Sequence, residues 1–404
     1  MFFEILVFIA LGVVAGVVAG LLPGIHPNTI IVLMLGALPF LSAYPLHAII
    51  AFIISMVVVN TIVNFIPSVF LGAPEDDTAL GVLPGHRLLL EGKGLEAVYL
   101  SVVGGIGVVL LFVLTLPVLV KVLPYAYGII KNYIHFILLA VVTVMIATEK
   151  GVQKFWGLVV FVLSGILGIV VLNSYLVQPD YVFFPLFSGL FGISTLLISL
   201  NDKTRLVAQI KNFGVVEKSV AIIGSIKGFF SGLIVGILPG MGSAQAGTLV
   251  QIITRKRDDK EYLVSLGGIN TANALFALAA LYTIGKTRSG AAAAVEKLVE
   301  SFGFNELLLL TGVALLSAGM GAIVTLFLSK RCLFLIERLP YDKLSIAVIA
   351  TLIVLTIIFA GLYGILILAV STAIGLIAPL TKVKRSLLMG VLILPVVLWF
   401  FGLI

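Results

Sequence analysis

The sequence predicts an all-α polytopic membrane protein of two inverted-topology repeats with Pro-Gly-broken or re-entrant helices, about 12–14 membrane segments in all. Three observations carry that prediction. First, the 404 residues are 61% hydrophobic and 11% charged, where soluble domains carry about a quarter charged residues. Second, Gly20-Leu-Leu-Pro-Gly24 returns as Gly236-Ile-Leu-Pro-Gly240. Gly12 and Gly16 likewise fall on Gly228 and Gly232, at a constant offset of 216. Third, lysine and arginine are spread unevenly among the connecting loops, which sets orientation.

On the length criterion for crossing a roughly 30 Å hydrocarbon core, the first half offers 2–22, 28–42, 47–71, 95–120, 128–148, 155–173 and 181–200. The second offers 218–238, 240–254, 262–284, 296–329, 344–361, 363–378 and 387–404. Segments 28–42 and 240–254 are short and read either as half-helices of re-entrant hairpins or as full spans. Glu4 and the absence of a basic leading stretch make the first segment a membrane span rather than a cleaved signal.

The duplication extends further. Asn60-Thr61 with Asn64 resembles Asn270-Thr271 with Asn273, and Leu123-Pro124-Tyr125 recurs as Leu339-Pro340-Tyr341. Gly157, Ser164 and Gly168 match Gly364, Ser371 and Gly375. The chain therefore divides into a first transmembrane repeat, 1–200, a polar cytoplasmic linker, 201–217, and a second transmembrane repeat, 218–404. With the linker inside and each segment crossing once, the outside loops hold only Lys121, Lys131, Lys286, Arg288 and Lys297 of the 25 basic residues. Seven crossings per half then give the repeats opposite topology. The basic runs Arg255–Arg257 and Lys382–Arg385 read as topology signals.

Each Pro-Gly ends one helix and requires another to begin, because proline lacks a donor and glycine turns sharply. Such breaks persist in a bilayer only where protein or water satisfies the freed backbone. Paired breaks at matching places in two halves point to a transporter's binding site. On this reading Pro23, Gly24, His26, Asn28 and Thr29, with Pro239, Gly240, Gly242, Ser243 and Gln245, surround a substrate. Two new helix N-termini would present positive dipole ends to a carboxylate or phosphate. The bland alternative is that Pro-Gly merely turns one span into the next.

Asn60, Thr61, Asn64, Asn270, Thr271 and Asn273 lie in apolar helices, where they serve either to glue helices together or to offer oxygens to a coupling ion such as sodium. Gly72-Ala-Pro-Glu-Asp-Asp-Thr-Ala79 places Glu75, Asp76 and Asp77 between two spans, opposite Lys286 and Arg288 of Gly285-Lys-Thr-Arg-Ser-Gly290. One reading has Arg288 and Lys286 gripping an anion, Arg288 the better suited to a bidentate grip, and Glu75, Asp76 or Asp77 binding a proton or sodium. The other is solvated loops or an ion pair. One cysteine, Cys332, excludes an intrachain disulfide, and the four histidines show no metal spacing. The sequence implies no cofactor beyond a coupling Na+ or H+.

At these residues the chain resembles the large membrane subunit of tripartite tricarboxylate transporters, the TctA-type permeases, in a compact archaeal-like form. That family carries Gly-x-Leu-Pro-Gly twice. The stretch Gly81-Val-Leu-Pro-Gly-His-Arg-Leu-Leu-Leu-Glu-Gly-Lys-Gly94 is similar to the family's segment running into Gly-Lys-x-Gly. The resemblance implies secondary transport of a di- or tricarboxylate coupled to sodium or protons. In bacterial members it also implies a periplasmic binding protein and a small membrane subunit.

The expected protein is thus a multi-pass permease of the plasma or inner membrane, acting by alternating access on a small organic anion. Membrane lipids surround it, a homo-oligomer is compatible with the sequence, and no nucleic-acid partner is implied. A polyprenyl-phosphate or lipid translocase is the competing reading. Nothing supports an enzyme, since no span carries paired catalytic carboxylates or a Ser/His arrangement.

Overall fold

The computed structural model describes the chain except residues 1, 23–26, 28–29, 32–33, 35–42, 73–77, 79, 81, 131, 175, 202–206, 238–242, 244–245, 248–249, 251–257, 300–301, 338–340 and 404. The described residues are almost entirely helical. Nine helices among them are long and apolar enough to cross a membrane, with shorter apolar helices at His135–Ala147 and Arg385–Phe400. The protein is a multi-pass membrane protein.

Four elements form the first half's centre. They are α1 (Phe2–Leu21), α2 (Leu46–Val63), α3 (Phe65–Leu71) and, after the short α4 (Val82–Leu90), the long α5 (Gly94–Ile130). Asn64 is the joint between α2 and α3. Pro67 lies one turn later and has no N–H to give to the Val63 carbonyl, so the helix loosens here. In the second half, α10 (Lys218–Ile237) precedes α11 (Asp259–Ile284). Left-handed glycines close the matching spans: Gly72 after α3 and Gly285 after α11, with φ of 61° and 58°.

The small-residue spacing seen in the sequence becomes backbone-to-backbone packing. A methyl carbon added to Gly12 would lie 2.5 Å from the Phe52 carbonyl oxygen, one on Gly16 2.5 Å from that of Met56, and one on Gly20 2.8 Å from the Val63 Cβ. The contacts advance together, so α1 and α2 run parallel. The second half repeats the arrangement, with Gly224 on Val264, Gly228 on Ser265, Gly232 on Ala272 and Gly236 on Phe276. Thus α10 and α11 also run parallel. In both halves a long-range glycine seam does the work that lipid cannot, because apolar side chains gain nothing by leaving apolar lipid.

Directions follow from further contacts. The start of α5 at Gly94 abuts Phe70 and its Gly105 abuts Ile62, so α5 descends beside α2 and α3. Along α5, Ser101 meets Gly267, Gly104 meets Val264 and Phe112 meets Phe276, so α5 and α11 are parallel. Helices α2 and α11 therefore point in opposite directions.

The remaining elements are α6 (Ile134–Ala147), α7 (Gln153–Asn173), α8 (Pro179–Phe187), a π-helix (Ser188–Ile193) and α9 (Ser194–Asn201). Later come α12 (Gly290–Leu298), α13 (Phe304–Glu337), α14 (Tyr341–Leu380), a 3₁₀ turn (Arg385–Met389) and α15 (Gly390–Phe400). Helix α14 is broken at Gly361, whose φ and ψ are 61° and −158°. This break coincides with the boundary between the expected segments 344–361 and 363–378.

Two apolar cores result. One gathers α1–α5, α11 and α13. The other gathers α6–α8, most of the π-helix, the end of α14 and α15. In the second core the halves clasp each other: Gly168 of α7 packs on Val391 of α15, while Gly375 of α14 packs on Leu190 of the π-helix.

The linker is anchored. Gln209 accepts from the Gly94 N–H at 3.1 Å and donates to the Leu89 carbonyl at 2.7 Å. Phe213 lies against Tyr99 and beneath the Lys330 ammonium.

Candidate functional site

The spans Leu46–Leu71 and Asp259–Ile284 are the most deeply buried of the nine, each 89% buried against at most 72% elsewhere. Asn60-Thr61 and Asn270-Thr271 sit near the middle of each, and the fold brings them together. The Thr61 and Thr271 hydroxyls are 3.1 Å apart, and Thr61 gives its own proton to the Val58 carbonyl at 2.7 Å. Asn270 Nδ2 donates to the Thr61 carbonyl at 3.0 Å and to Asn64 Oδ1 at 3.2 Å.

Two amide groups here are left over. Asn60 Nδ2 and Asn270 Oδ1 are buried with no partner among the described residues. An orphaned polar atom at this depth costs about 1–3 kcal/mol, so it marks a place where an ion, water or ligand would be accepted. Neutral oxygens from Thr61, Thr271, Asn64 and Asn270 make a donor set suited to a hard, weakly charged cation such as sodium. No group of three or more His, Cys, Asp or Glu that would suit a transition metal occurs among the described residues. Asn273, a turn beyond, is half-buried and makes no side-chain hydrogen bond among the described residues.

Both Pro-Gly motifs begin near this cluster. Gly20 sits beside Val63 and Asn64, and α1 ends at Leu21. Gly236 sits beside Phe276, less than two turns beyond Asn270 on α11. Ser243 is buried. Pro23, Gly24, His26, Asn28, Thr29, Pro239, Gly240, Gly242, Gln245, Asp76 and Asp77 lie outside the described residues, as does Glu75.

Arg288 is not part of the cluster. It follows the end of α11, about 20 Å along that helix from Asn270 at 1.5 Å per residue. Its guanidinium stands 5.3 Å from the centre of the Tyr127 ring, and its Nε and Nη2 are buried with no partner among the described residues. At the other end of α11, three consecutive residues reach three helices. Asp259 pairs with Arg87 of α4 at 2.7 Å, Lys260 with Glu96 of α5 at 2.5 Å, and Glu261 with Lys227 of α10.

One residue departs from the sequence reading. In the run Lys382–Arg385, which reads as a topology signal, Arg385 is only 9% exposed. Its Nη1 donates to the Thr195 hydroxyl of α9, which in turn donates to the Phe191 carbonyl of the π-helix. The cause is the 3₁₀ turn, which folds Arg385 inward while Lys384 remains at the surface and reaches Thr148 at 2.7 Å.

The family model described as the tripartite tricarboxylate transporter TctA family matches residues 6–390. An uncharacterized protein of Methanocaldococcus jannaschii is 35% identical over 408 residues, covering 98% of each chain. No solved structure matches.

Proposed function

The chain belongs to the tripartite tricarboxylate transporter TctA family, and from that premise we propose that it moves a di- or tricarboxylate by alternating access, coupled to sodium or protons. Its membership makes it a component of a membrane transporter rather than an enzyme. The observation that carries the proposal is the meeting of Asn60-Thr61 with Asn270-Thr271 at mid-depth, with one buried donor and one buried acceptor unspent.

In this reading the Asn–Thr cluster holds the coupling ion through neutral oxygens. The residues after the two Pro-Gly breaks (His26, Asn28 and Thr29; Ser243 and Gln245) hold the anion beside it. Positive helix ends and a bound cation would then share the substrate's negative charge. Arg288 would meet the anion nearer the membrane face where α11 ends. The opposed directions of α2 and α11, each with a parallel partner, support two inverted repeats, 1–200 and 218–404, joined by a cytoplasmic linker. Alternating access follows if one repeat's elements rock against the other's. As in the family's tripartite systems, a substrate-binding protein outside the membrane and a small membrane subunit would be its partners.

Thermal unfolding of the detergent-purified protein tests this, with citrate and succinate titrated in sodium and then potassium buffer. A ligand at a hundredfold excess over its dissociation constant adds about 2.7 kcal/mol to stability. Stabilisation by a carboxylate that requires sodium, and disappears in Asn270→Ala, is the expected result. Equal shifts in both buffers would favour proton coupling, and no shift with any carboxylate would defeat the substrate assignment.

A further inference from the structure

Arg385 is a buried charge that has no carboxylate partner among the described residues. It stands where the two cores meet. Its guanidinium donates to Thr195, and its charge is felt by His86 of α4, whose Nδ1 lies 3.3 Å from the Val69 carbonyl. A guanidinium stays protonated in proteins and offers five N–H donors in a planar fork. Among the described residues it finds one acceptor, a neutral hydroxyl. The acid that reaches its chain neighbour, Glu149, is held by Lys384 through the backbone N–H at 3.2 Å and the ammonium at 3.8 Å.

The surroundings are polar beyond what the fold uses. Ser386, next in the chain, has a buried hydroxyl with no partner among the described residues, as do Ser188 of the π-helix and Ser371 of α14. Ser371 packs against Gly189, where an added methyl carbon would come within 2.5 Å of its Cβ. A π-helix places an extra residue in one turn and recurs at functional sites. Among the described residues, the segments joined by the Arg385–Thr195 bond thus carry unspent hydroxyl groups, and the carboxylate that reaches its chain neighbour, Glu149, is already held by Lys384.

We propose that Arg385 is the cationic centre of an oxyanion-binding site between the two cores, taking a carboxylate or phosphate group in its guanidinium fork. Fork-to-oxyanion pairing supplies two parallel, charge-assisted bonds. Thr195 fixes one edge of the guanidinium and leaves the rest to the anion. The site is distinct from the Asn–Thr cluster and does not depend on that cluster binding an ion. The anion arrives either from solution or as the headgroup of an acidic lipid.

The test is thermal unfolding of the full-length protein in three arms: citrate, inorganic phosphate, and nanodiscs of phosphatidylcholine with or without phosphatidic acid. Wild type should be stabilised in at least one arm. Response to citrate or phosphate identifies a soluble anion, and response to phosphatidic acid alone identifies a headgroup. Arg385→Met should bind the same anion roughly ten- to hundredfold more weakly, while unfolding no earlier than wild type when no anion is present. A purely structural arginine would give the reverse, early unfolding with any anion response unchanged. Arg385→Lys keeps the charge without the fork and should fall between. An unchanged anion response in Arg385→Met, or no response of wild type in any arm, overturns the proposal. The sodium-dependent shift lost in Asn270→Ala reports separately on the Asn–Thr cluster.

Discussion

Thr61 and Thr271 lie in the two most deeply buried spans, and their hydroxyl oxygens are 3.1 Å apart. Neither is placed by a neighbour in sequence. The contact exists because α2 and α11 cross where each is most buried. A double-mutant cycle of Thr61→Val and Thr271→Val should give a coupling of about 0.6 kcal/mol, the usual size for such pairs in membrane proteins. Asn270→Ala should cost more, about 1–3 kcal/mol, since it removes two buried hydrogen bonds, to the Thr61 carbonyl and to Asn64 Oδ1. Equilibrium unfolding in mixed micelles measures both.

Gly104 and Gly319 give a matched pair of alanine substitutions with opposite outcomes. A methyl carbon on Gly104 would sit 1.8 Å from the Val264 carbonyl oxygen, which is backbone and cannot swing aside. Gly104→Ala should push α5 from α11 and cost about 1–3 kcal/mol or more. Gly319 of α13 has nothing within 4 Å, so Gly319→Ala should be neutral or add up to about 1 kcal/mol of helix stability. Melting temperatures of the purified variants would separate them.

The three ion pairs at the head of α11 should not weigh equally. Arg87 and Asp259 are 58% and 29% exposed, whereas Lys227 and Glu261 are 25% and 16% exposed. Asp259→Asn should change stability by less than about 1 kcal/mol and less still in high salt. Glu261→Gln takes a carboxylate from a largely dehydrated lysine and should cost about 1–3 kcal/mol. Denaturation at low and high ionic strength distinguishes the two.

His86, outside the nine spans, supplies a pH signature. Burial pushes its pKa below the ordinary 6.5; the Val69 carbonyl partly offsets this and the Arg385 charge adds to it. Between the lowered value and 6.5 the unfolded chain binds more protons than the folded one, so stability rises with pH in that window and falls on acidification. Above 6.5 the contribution is flat. His86→Gln should reduce the acid-side slope of stability against pH, measured by unfolding at several pH values below 7. An unchanged slope would assign the acid sensitivity to other groups.

Much of this architecture is legible from local pattern. The spacing of Gly12, Gly16 and Gly20 and of Gly228, Gly232 and Gly236 announces close helix contact. The duplicated Asn-Thr pairs announce something shared between halves. Arg385 was hidden because the sequence rule for basic runs counts charges by loop and ignores direction, and only the 3₁₀ turn reveals which of three neighbouring cations points inward. Gln209 was hidden for a similar reason. A polar linker reads as solvent-exposed chain, whereas its amide caps the start of α5. The distance between Arg288 and the Asn–Thr cluster could not be read either, since sequence gives the order of groups along α11 but not which end the substrate approaches.

The mutual clasp of the second core has a consequence for how the molecule is made. Gly168 needs the Val391 backbone, and Gly375 needs Leu190, so neither half can complete this core from its own residues. During synthesis α7 and the π-helix enter the membrane long before α15 exists. Their facing surfaces must wait, with lipid or a chaperone in the place the last helix will take. Helix α15 therefore acts as a latch, and truncation ahead of Val391 should leave the early helices inserted but the second core unclosed.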